Sequence, residues 1–465
     1  MRKFISHFLI YGSAPFIAKF SALVTAPILT FALTVKDFGI LEVLSSVLSM
    51  LVLFVAMNLN SGLFRFFYEN DNEDERKNLF STVFFIYVLF SIIVVVIGVA
   101  LSSTLSVFFL GYEEKSLFTL ALIKIPFVLI YELNLSLIRL LQKARLYVAL
   151  YMALAFFNVF GVVFLYLSSS ISIYNILLLQ FVNHCLLTSI SIVINKKYIG
   201  LYIKKYCLLD LSRYSIPQIP SVIANFIIMG SMPILITQFS SLTDSGYYAI
   251  AFKVASIFAF FLQAFRMVYG PIQMKAMALG AAQFSQVNRS ALLFLSSFLF
   301  LLAIYSIYIS KLIFLFFIDE KFNFAQTIIF PLCMALFLSA LNNIILGAIS
   351  YVKKTIYMSI SQLVSLFLFI VLVRPVIVNF GFQGAAYLLL FSTVLQCCVS
   401  YLFAQKLFRI DYNIWPVIVS VVSVFVFLSF YKVGLFYYLD VFLFFSCFMF
   451  FIYRSKFLTK IKKYI

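Results

Sequence analysis

The chain has 465 residues, of which 64% are hydrophobic and only 11% charged, with a mean hydropathy of +1.11. A soluble surface needs roughly 25% charged residues, so this composition excludes a soluble domain and requires lipid as solvent. The net charge of +18 is scattered through short gaps rather than gathered on one face, which argues against nucleic-acid binding, and the six cysteines lack ligand spacing, which argues against disulfides or a metal site.

Apolar runs near the roughly 20 residues needed to cross a bilayer recur about fourteen times. In chain order they occupy about 8–34, 38–63, 79–102, 116–138, 146–168, 171–195, 212–239, 246–270, 290–317, 324–350, 355–378, 381–404, 413–431 and 435–453. The first is a retained span rather than a cleaved leader, because it continues to Thr34 and many others follow. With both termini cytoplasmic, the inner gaps collect most Lys and Arg, including Lys143, Arg145, Lys196, Lys197, Lys204, Lys205, Lys353, Lys354, Lys460, Lys462 and Lys463. The outer gaps keep Lys36, Lys115, Lys311, Lys321, Arg374 and Lys432. A missed or invented span would scramble that asymmetry downstream.

The chain repeats itself. Asp37-Phe38-Gly39 opens the second span and Asp244-Ser245-Gly246 the eighth, an offset of 207; Lys143-Ala144-Arg145-Leu146-Tyr147 and Lys353-Lys354-Thr355-Ile356-Tyr357 lie 210 apart. Two six-span halves in one orientation account for both matches. The expected fold is all-α and integral to the membrane: about fourteen helices, in two six-helix halves related by a parallel repeat around a central cavity, plus two C-terminal helices. Residues 1–200 form the first lobe, 201–211 a basic cytoplasmic connector, 212–405 the second lobe, and 406–465 two further helices with a basic cytoplasmic tail. Paired halves that rock about a central cavity point to a transporter.

Pro27, the corner Lys36-Asp37-Phe38-Gly39-Ile40-Leu41-Glu42 and the stretch Asn60-Ser61-Gly62-Leu63-Phe64-Arg65-Phe66-Phe67-Tyr68 resemble the start of bacterial O-antigen and capsular polysaccharide flippases. These form the polysaccharide branch of the multidrug/oligosaccharidyl-lipid/polysaccharide exporter superfamily. In the second half Tyr214-Ser215-Ile216-Pro217-Gln218-Ile219-Pro220, Ser245-Gly246-Tyr247-Tyr248-Ala249, Tyr269-Gly270-Pro271 and Gly381-Phe382-Gln383-Gly384-Ala385-Ala386 agree in order and spacing. The resemblance implies a flippase of the bacterial inner membrane that carries an undecaprenyl-pyrophosphate-linked oligosaccharide from the inner to the outer leaflet. It implies H+ or Na+ coupling, no cofactor, and partnership with a polysaccharide polymerase and a chain-length regulator. No G-x-x-x-x-G-K-[ST] phosphate loop is present, in keeping with gradient rather than nucleotide drive. Many relatives carry an Asp-Arg-like pair in the seventh span, where this chain reads Gly230-Ser231-Met232-Pro233.

Charges stranded inside spans are the candidate site. Lys19, Lys124 and Lys253 each cost roughly 2.5–3.5 kcal/mol at the bilayer centre if lipid-facing, so each is expected to face protein or a wet cavity. There they would attract a pyrophosphate, or else snorkel or pair internally, as Lys124 could with Glu132. Arg65 and Arg266, near cytoplasmic span ends, could receive the headgroup or simply snorkel. Glu132, His184 and Glu42 are the ion-coupling candidates, although Glu132 could instead pair with Arg139 along its own helix. In the sixth span Gln180, Asn183, His184, Thr188, Ser191 and Asn195 fall on one helical stripe, which could hydrogen-bond sugar hydroxyls or glue helices together; Asn134 and Gln263 are similar positions. Pro27, Pro217, Pro220 and Pro233 are hinge or packing bends. No catalytic or metal-binding set is present. The rival readings are a small-molecule or multidrug antiporter of the same superfamily, which would favour an anionic cavity, and a membrane polysaccharide polymerase, which would require a large outer loop or acidic cluster.

Overall fold

The computed structural model describes residues 21, 24–69, 72–200, 203–354 and 356–412. Most of the first span, with Lys19, and the two C-terminal spans lie outside the described residues. Among the described residues every regular element is helical. Eight helices are long and apolar enough to cross a membrane, or nine if the bent pair Lys205–Met229 and Met232–Phe239 is one span. The 52-residue helix Ile356–Leu407 contains two of the predicted spans, because Gly381 leaves the helical region at φ 54°, ψ −140° and breaks it there. A side chain at Gly381 would be strained in that conformation, and its Cβ would lie 2.7 Å from Asp244 Oδ2.

One compact unit comprises the residues up to Ala249 together with Ile377–Phe382; the other comprises Ile250–Val376 and the residues from Gln383 onward. In the first unit the core is an i, i+4 ladder. Val55, Leu59, Leu63 and Phe67 pack with Leu79, Val83 and Tyr87 and with Leu129, Leu133 and Leu137, each four residues apart. The ladder runs unbroken through a backbone break, since Val35–Ala56 ends at Met57 and Asn58, both left-handed at φ 44° and 54°, before Leu59–Glu69 resumes. Conversely, Ala144–Leu167 turns Phe156, Phe160, Phe164 and Leu167 outward, a face suited to acyl chains rather than water.

The repeat has a physical counterpart. Thr34 Oγ1 accepts from the Asp37 amide and Asp37 Oδ2 from the Thr34 amide, each at 3.1 Å, which completes a capping box for Val35–Ala56. At the positions 207 later, Ser241 Oγ accepts from the Asp244 amide at 3.0 Å at the start of Leu242–Leu279, while Asp244 Oδ2 accepts from the Ser240 hydroxyl instead. The two helix starts then cross. A Cβ on Gly39 would collide with the Leu242 carbonyl oxygen, and one on Gly246 would collide with the Val35 carbonyl oxygen. Each glycine meets the carbonyl four residues before the other, so the contact is reciprocal.

The seventh span is discontinuous. Lys205–Ser215 buries Cys207, Leu211 and Ser215, spaced by four, against Leu59–Glu69, so part of the predicted connector is helical. A short 3-10 turn, Ile216–Gln218, follows, and then Ile219–Met229 and Met232–Phe239, with a bend of 54° before the last segment. Pro217, Pro220 and Pro233 each stand at the first turn of one of these pieces, where the missing N–H costs no hydrogen bond.

Candidate functional site

Pro126 opens Ile125–Leu140 and removes an amide that would otherwise continue the preceding helix, Lys115–Ile123. Lys124 occupies the junction and is only 5% exposed. Its Nζ donates to Gln180 Oε1 at 2.8 Å, and no carboxylate lies within ion-pair distance of it among the described residues. Glu132, the partner considered from the sequence, does not reach it. His184 lies one turn beyond Gln180 and approaches the Gln180 carbonyl through Nδ1 at 2.8 Å. Because a carbonyl oxygen only accepts, Nδ1 carries the hydrogen, and Nε2 is left as the basic nitrogen. The His184 ring meets Tyr131 edge to face at 6.3 Å, and the Tyr131 hydroxyl is held by the Leu150 carbonyl at 2.9 Å. The structure therefore joins a candidate headgroup cation, a candidate sugar contact and a candidate ion-coupling base into one chain, Lys124, Gln180 and His184.

The rest of the sixth-span stripe faces neighbouring helices. Asn183 Nδ2 donates to Asn158 Oδ1 at 3.0 Å, Thr188 Oγ1 to the Phe127 carbonyl at 2.8 Å, and Ser191 Oγ to the Thr188 carbonyl at 2.8 Å. Asn195 Nδ2 donates to Asn134 Oδ1 at 2.8 Å, and Asn134 Nδ2 donates to the Ile130 carbonyl at 2.9 Å. Asn134, Asn183, Thr188, Ser191 and Asn195 are all buried. The bonds of Asn183, Thr188 and Asn195 cross the seam between Ile125–Leu140, Ala144–Leu167 and Ile173–Asn195, while Ser191 and the Asn134 amide donate to carbonyls of their own helices.

Glu132 is exposed even though it lies within an apolar span, and no salt bridge forms to it among the described residues. Arg139 stacks over Phe64 at 4.1 Å rather than pairing with it. Glu42 is half-buried. At the C-terminal end of the second span, Arg65 pairs with Glu69 at 3.0 Å and lies over the Tyr214 ring at 4.7 Å. Two turns earlier, Asn58 Nδ2 donates to Gln218 Oε1 at 3.3 Å, Asn58 Oδ1 accepts from Ser61 at 2.9 Å, and Gln218 Nε2 donates to the Tyr214 carbonyl at 3.0 Å. The break in the second span is thus tied directly to the break in the seventh. Pro27 lies in the helical stretch 24–32, where its carbonyl accepts from Thr30 at 2.8 Å.

In the second unit Lys253 and Gln263 are half-buried and Arg266 is exposed. Arg266 Nη2 donates to Asn343 Oδ1 at 3.2 Å. A polar cluster escapes sequence reasoning: the Tyr269 hydroxyl donates to Asn288 Oδ1, and Gln273 Nε2 donates to the Tyr269 oxygen at 2.8 Å. Gly347 admits the Gln273 amide, since a Cβ there would collide with Nε2. Asn288 is fully buried and its Nδ2 has no partner among the described residues. The i, i+4 pairing of Tyr269 and Gln273 was the available signal, but Asn288 sits at the edge of its apolar run and does not read as intramembrane.

The family of polysaccharide biosynthesis proteins matches residues 4–277. Lipid II flippase MurJ in an inward closed conformation is similar to the chain with a TM-score of 0.74 and 14% identity, over 97% of this chain and 99% of that one. An inward-facing multidrug resistance MATE family transporter of the MOP superfamily gives 0.70 and 10% identity, over 86% and 97%. The MATE multidrug transporter DinF-BH gives 0.62 and 12%, over 86% and 94%. A search of curated protein sequences gives no match. At these identities the structural likenesses establish the fold, that of the flippase-type and multidrug membrane transporters. With the family match extending over more than half its length, the chain belongs to the polysaccharide biosynthesis protein family.

Proposed function

We propose that the chain is a flippase that carries an undecaprenyl-pyrophosphate-linked oligosaccharide, an O-antigen or capsule repeat unit, from the inner to the outer leaflet of the bacterial inner membrane by alternating access. An ion gradient drives it, with both termini on the cytoplasmic side, and the polymerase and chain-length regulator receive its product. The observation that supports this reading is the reciprocal crossing at Gly39 and Gly246, at the end that the loop charges assign to the outer leaflet, which we take as its closure. The crossing is backbone against backbone. Separating it strands no buried charge, which suits a contact that must open and reseal in each cycle. The likeness to MurJ over nearly the whole chain and the membership of a polysaccharide biosynthesis family support a lipid-linked glycan as cargo.

The MATE likenesses favour a second reading, a small-molecule or multidrug antiporter. A cationic drug is poorly served by Lys253 and Arg266 within the second unit, whereas a pyrophosphate is well served. Complementation of a flippase-deficient bacterium that makes a defined glycan separates the two: restored surface glycan supports the flippase, while drug resistance without glycan supports the antiporter.

A further inference from the structure

Ile125–Leu140 is wrapped by its neighbours in the first unit, Val35–Ala56, Glu73–Ala100, Ala144–Leu167 and Ile173–Asn195. Beyond its first turn the only residues not buried are Glu132 and Arg139, which are exposed, and Ser136 between them, which is half-buried. At 100° per residue these three fall within about 60° of one another, so the helix has a single open stripe. The open stripe of Ala144–Leu167 is phenylalanine and leucine, as a lipid-facing surface should be. That of Ile125–Leu140 is an acid, a hydroxyl and a guanidinium. Charges are too costly against acyl chains, so this stripe faces a wet crevice of the lobe rather than lipid.

Aromatic rings flank the stripe. Phe64, half-buried on Leu59–Glu69, lies under the Arg139 guanidinium at 4.1 Å. From Ala144–Leu167, the half-buried Tyr151 packs against the apolar cluster that includes Leu135 and Ile138 and lies within electrostatic reach of Glu132. The Glu132 carboxylate feels the Arg139 charge along the stripe but makes no hydrogen bond or salt bridge among the described residues. Its two oxygens can only accept, Arg139 can only donate, and Ser136 does both. This order discriminates by charge. A pyrophosphate is repelled at Glu132 and a cation at Arg139, whereas a neutral polyol donates a hydroxyl to the first, accepts from the second, and lays its C–H face on the rings. Glu132 and Arg139 are about 10 Å apart along the helix axis, a separation that a short oligosaccharide spans.

We infer that Glu132, Ser136 and Arg139, flanked by Phe64 and Tyr151, form a saccharide subsite that grips neutral sugar of the cargo through its hydroxyls and takes no part in holding the pyrophosphate. This rests on the flippase reading, which supplies the glycan. Sugar recognition thereby moves off the sixth-span stripe, where Asn183, Thr188 and Asn195 are spent on neighbouring helices. The loop charges assign Arg139 to the inner end of its span, so the subsite begins where a glycan from the inner leaflet enters.

The test applies the full-length, detergent-solubilised protein to an array of neutral, uronic-acid and amino-sugar oligosaccharides, and in parallel to sugar-free undecaprenyl pyrophosphate. Wild type is expected to capture neutral oligosaccharides. Glu132→Ala is expected to weaken that capture about tenfold or more, and Glu132→Gln, which keeps one acceptor oxygen, by less. Because Glu132 is exposed and makes no bond that the fold needs, both variants should melt like wild type and bind undecaprenyl pyrophosphate equally. No capture of neutral saccharide by wild type, equal capture by Glu132→Ala, or loss of undecaprenyl pyrophosphate binding in Glu132→Ala overturns the subsite. A preference for uronic-acid or amino-sugar ligands over neutral ones assigns the stripe to a charge and overturns it too. The flippase reading fails separately: capture that depends on Glu132, without glycan export in complementation, removes the flippase and leaves the subsite, whereas export with capture indifferent to Glu132 does the reverse.

Discussion

The two ends of the second span meet the chain beyond residue 203 in opposite ways. At its N-terminal end, which the loop charges predict to be the outer one, capped helix starts cross at Gly39 and Gly246 with backbone pressed on backbone. At the inner end the same span breaks at Met57 and Asn58, the seventh span breaks at Ile216–Gln218, and a side-chain bond from Asn58 to Gln218 joins the two breaks. The outer contact tolerates no intruding atom, so it is either made or unmade. The inner contact is polar and set on interrupted helices, which absorb changes of angle with little loss of packing.

That contrast breaks most readily at the glycines. Gly39→Val and Gly246→Val each drive a side chain into a carbonyl, at a cost of about 1–3 kcal/mol or more, and should hold the outer end open. Because the contact is reciprocal, the two variants should match each other in thiol accessibility of a cysteine placed below the crossing and in loss of glycan export. A large effect at one glycine and none at the other would show that the repeats do not share the closure. Next in size is the interhelical seam: Asn195→Ala leaves Asn134 short of a partner and should lower thermal stability by about 1–3 kcal/mol, without altering which glycan is exported. A change of glycan selectivity in that variant would return the stripe to the sugar pathway.

Smaller effects sharpen the inner end. Asn58→Ala loses the bond to Gln218 and also strains a left-handed residue, for about 1–2 kcal/mol, whereas Asn58→Gly loses the bond but relieves the backbone. If the break matters more than the bond, the glycine variant exports glycan and the alanine variant does not. The smallest shift is expected at Arg65, whose pairing with Glu69 is half exposed at 50% and 53%; the thermal melt of Arg65→Ala should lie close to that of wild type.

Much of this architecture was legible before the structure. Hydropathy marked the regions of the eight or nine span-length helices among the described residues, the predicted run starting at 381 begins at the break made by Gly381, and the 207-residue offset of the two D-x-G motifs marked the pair of glycines that meet. Periodicity also picked out the sixth-span stripe. It could not say what the stripe faces, because a polar face looks the same whether it meets sugar or an equally polar neighbour such as Asn134 or Asn158. The break at Met57 and Asn58 was invisible for a different reason. No proline marks it, and the apolar ladder from Val55 to Phe67 continues across it. Lys124 stood out as a stranded charge, but its partner, Gln180, lies 56 residues away, and only tertiary packing pairs them.

The central claim is that a closure made by the two repeats lets this chain pass a lipid-linked glycan across the bilayer. Flipping of undecaprenyl-pyrophosphate-linked oligosaccharide by the purified protein in proteoliposomes, read by access of an external glycan-cleaving enzyme, tests it most directly. The account predicts translocation by wild type and its loss in both Gly39→Val and Gly246→Val; translocation that persists in both variants, or is absent in wild type, contradicts it.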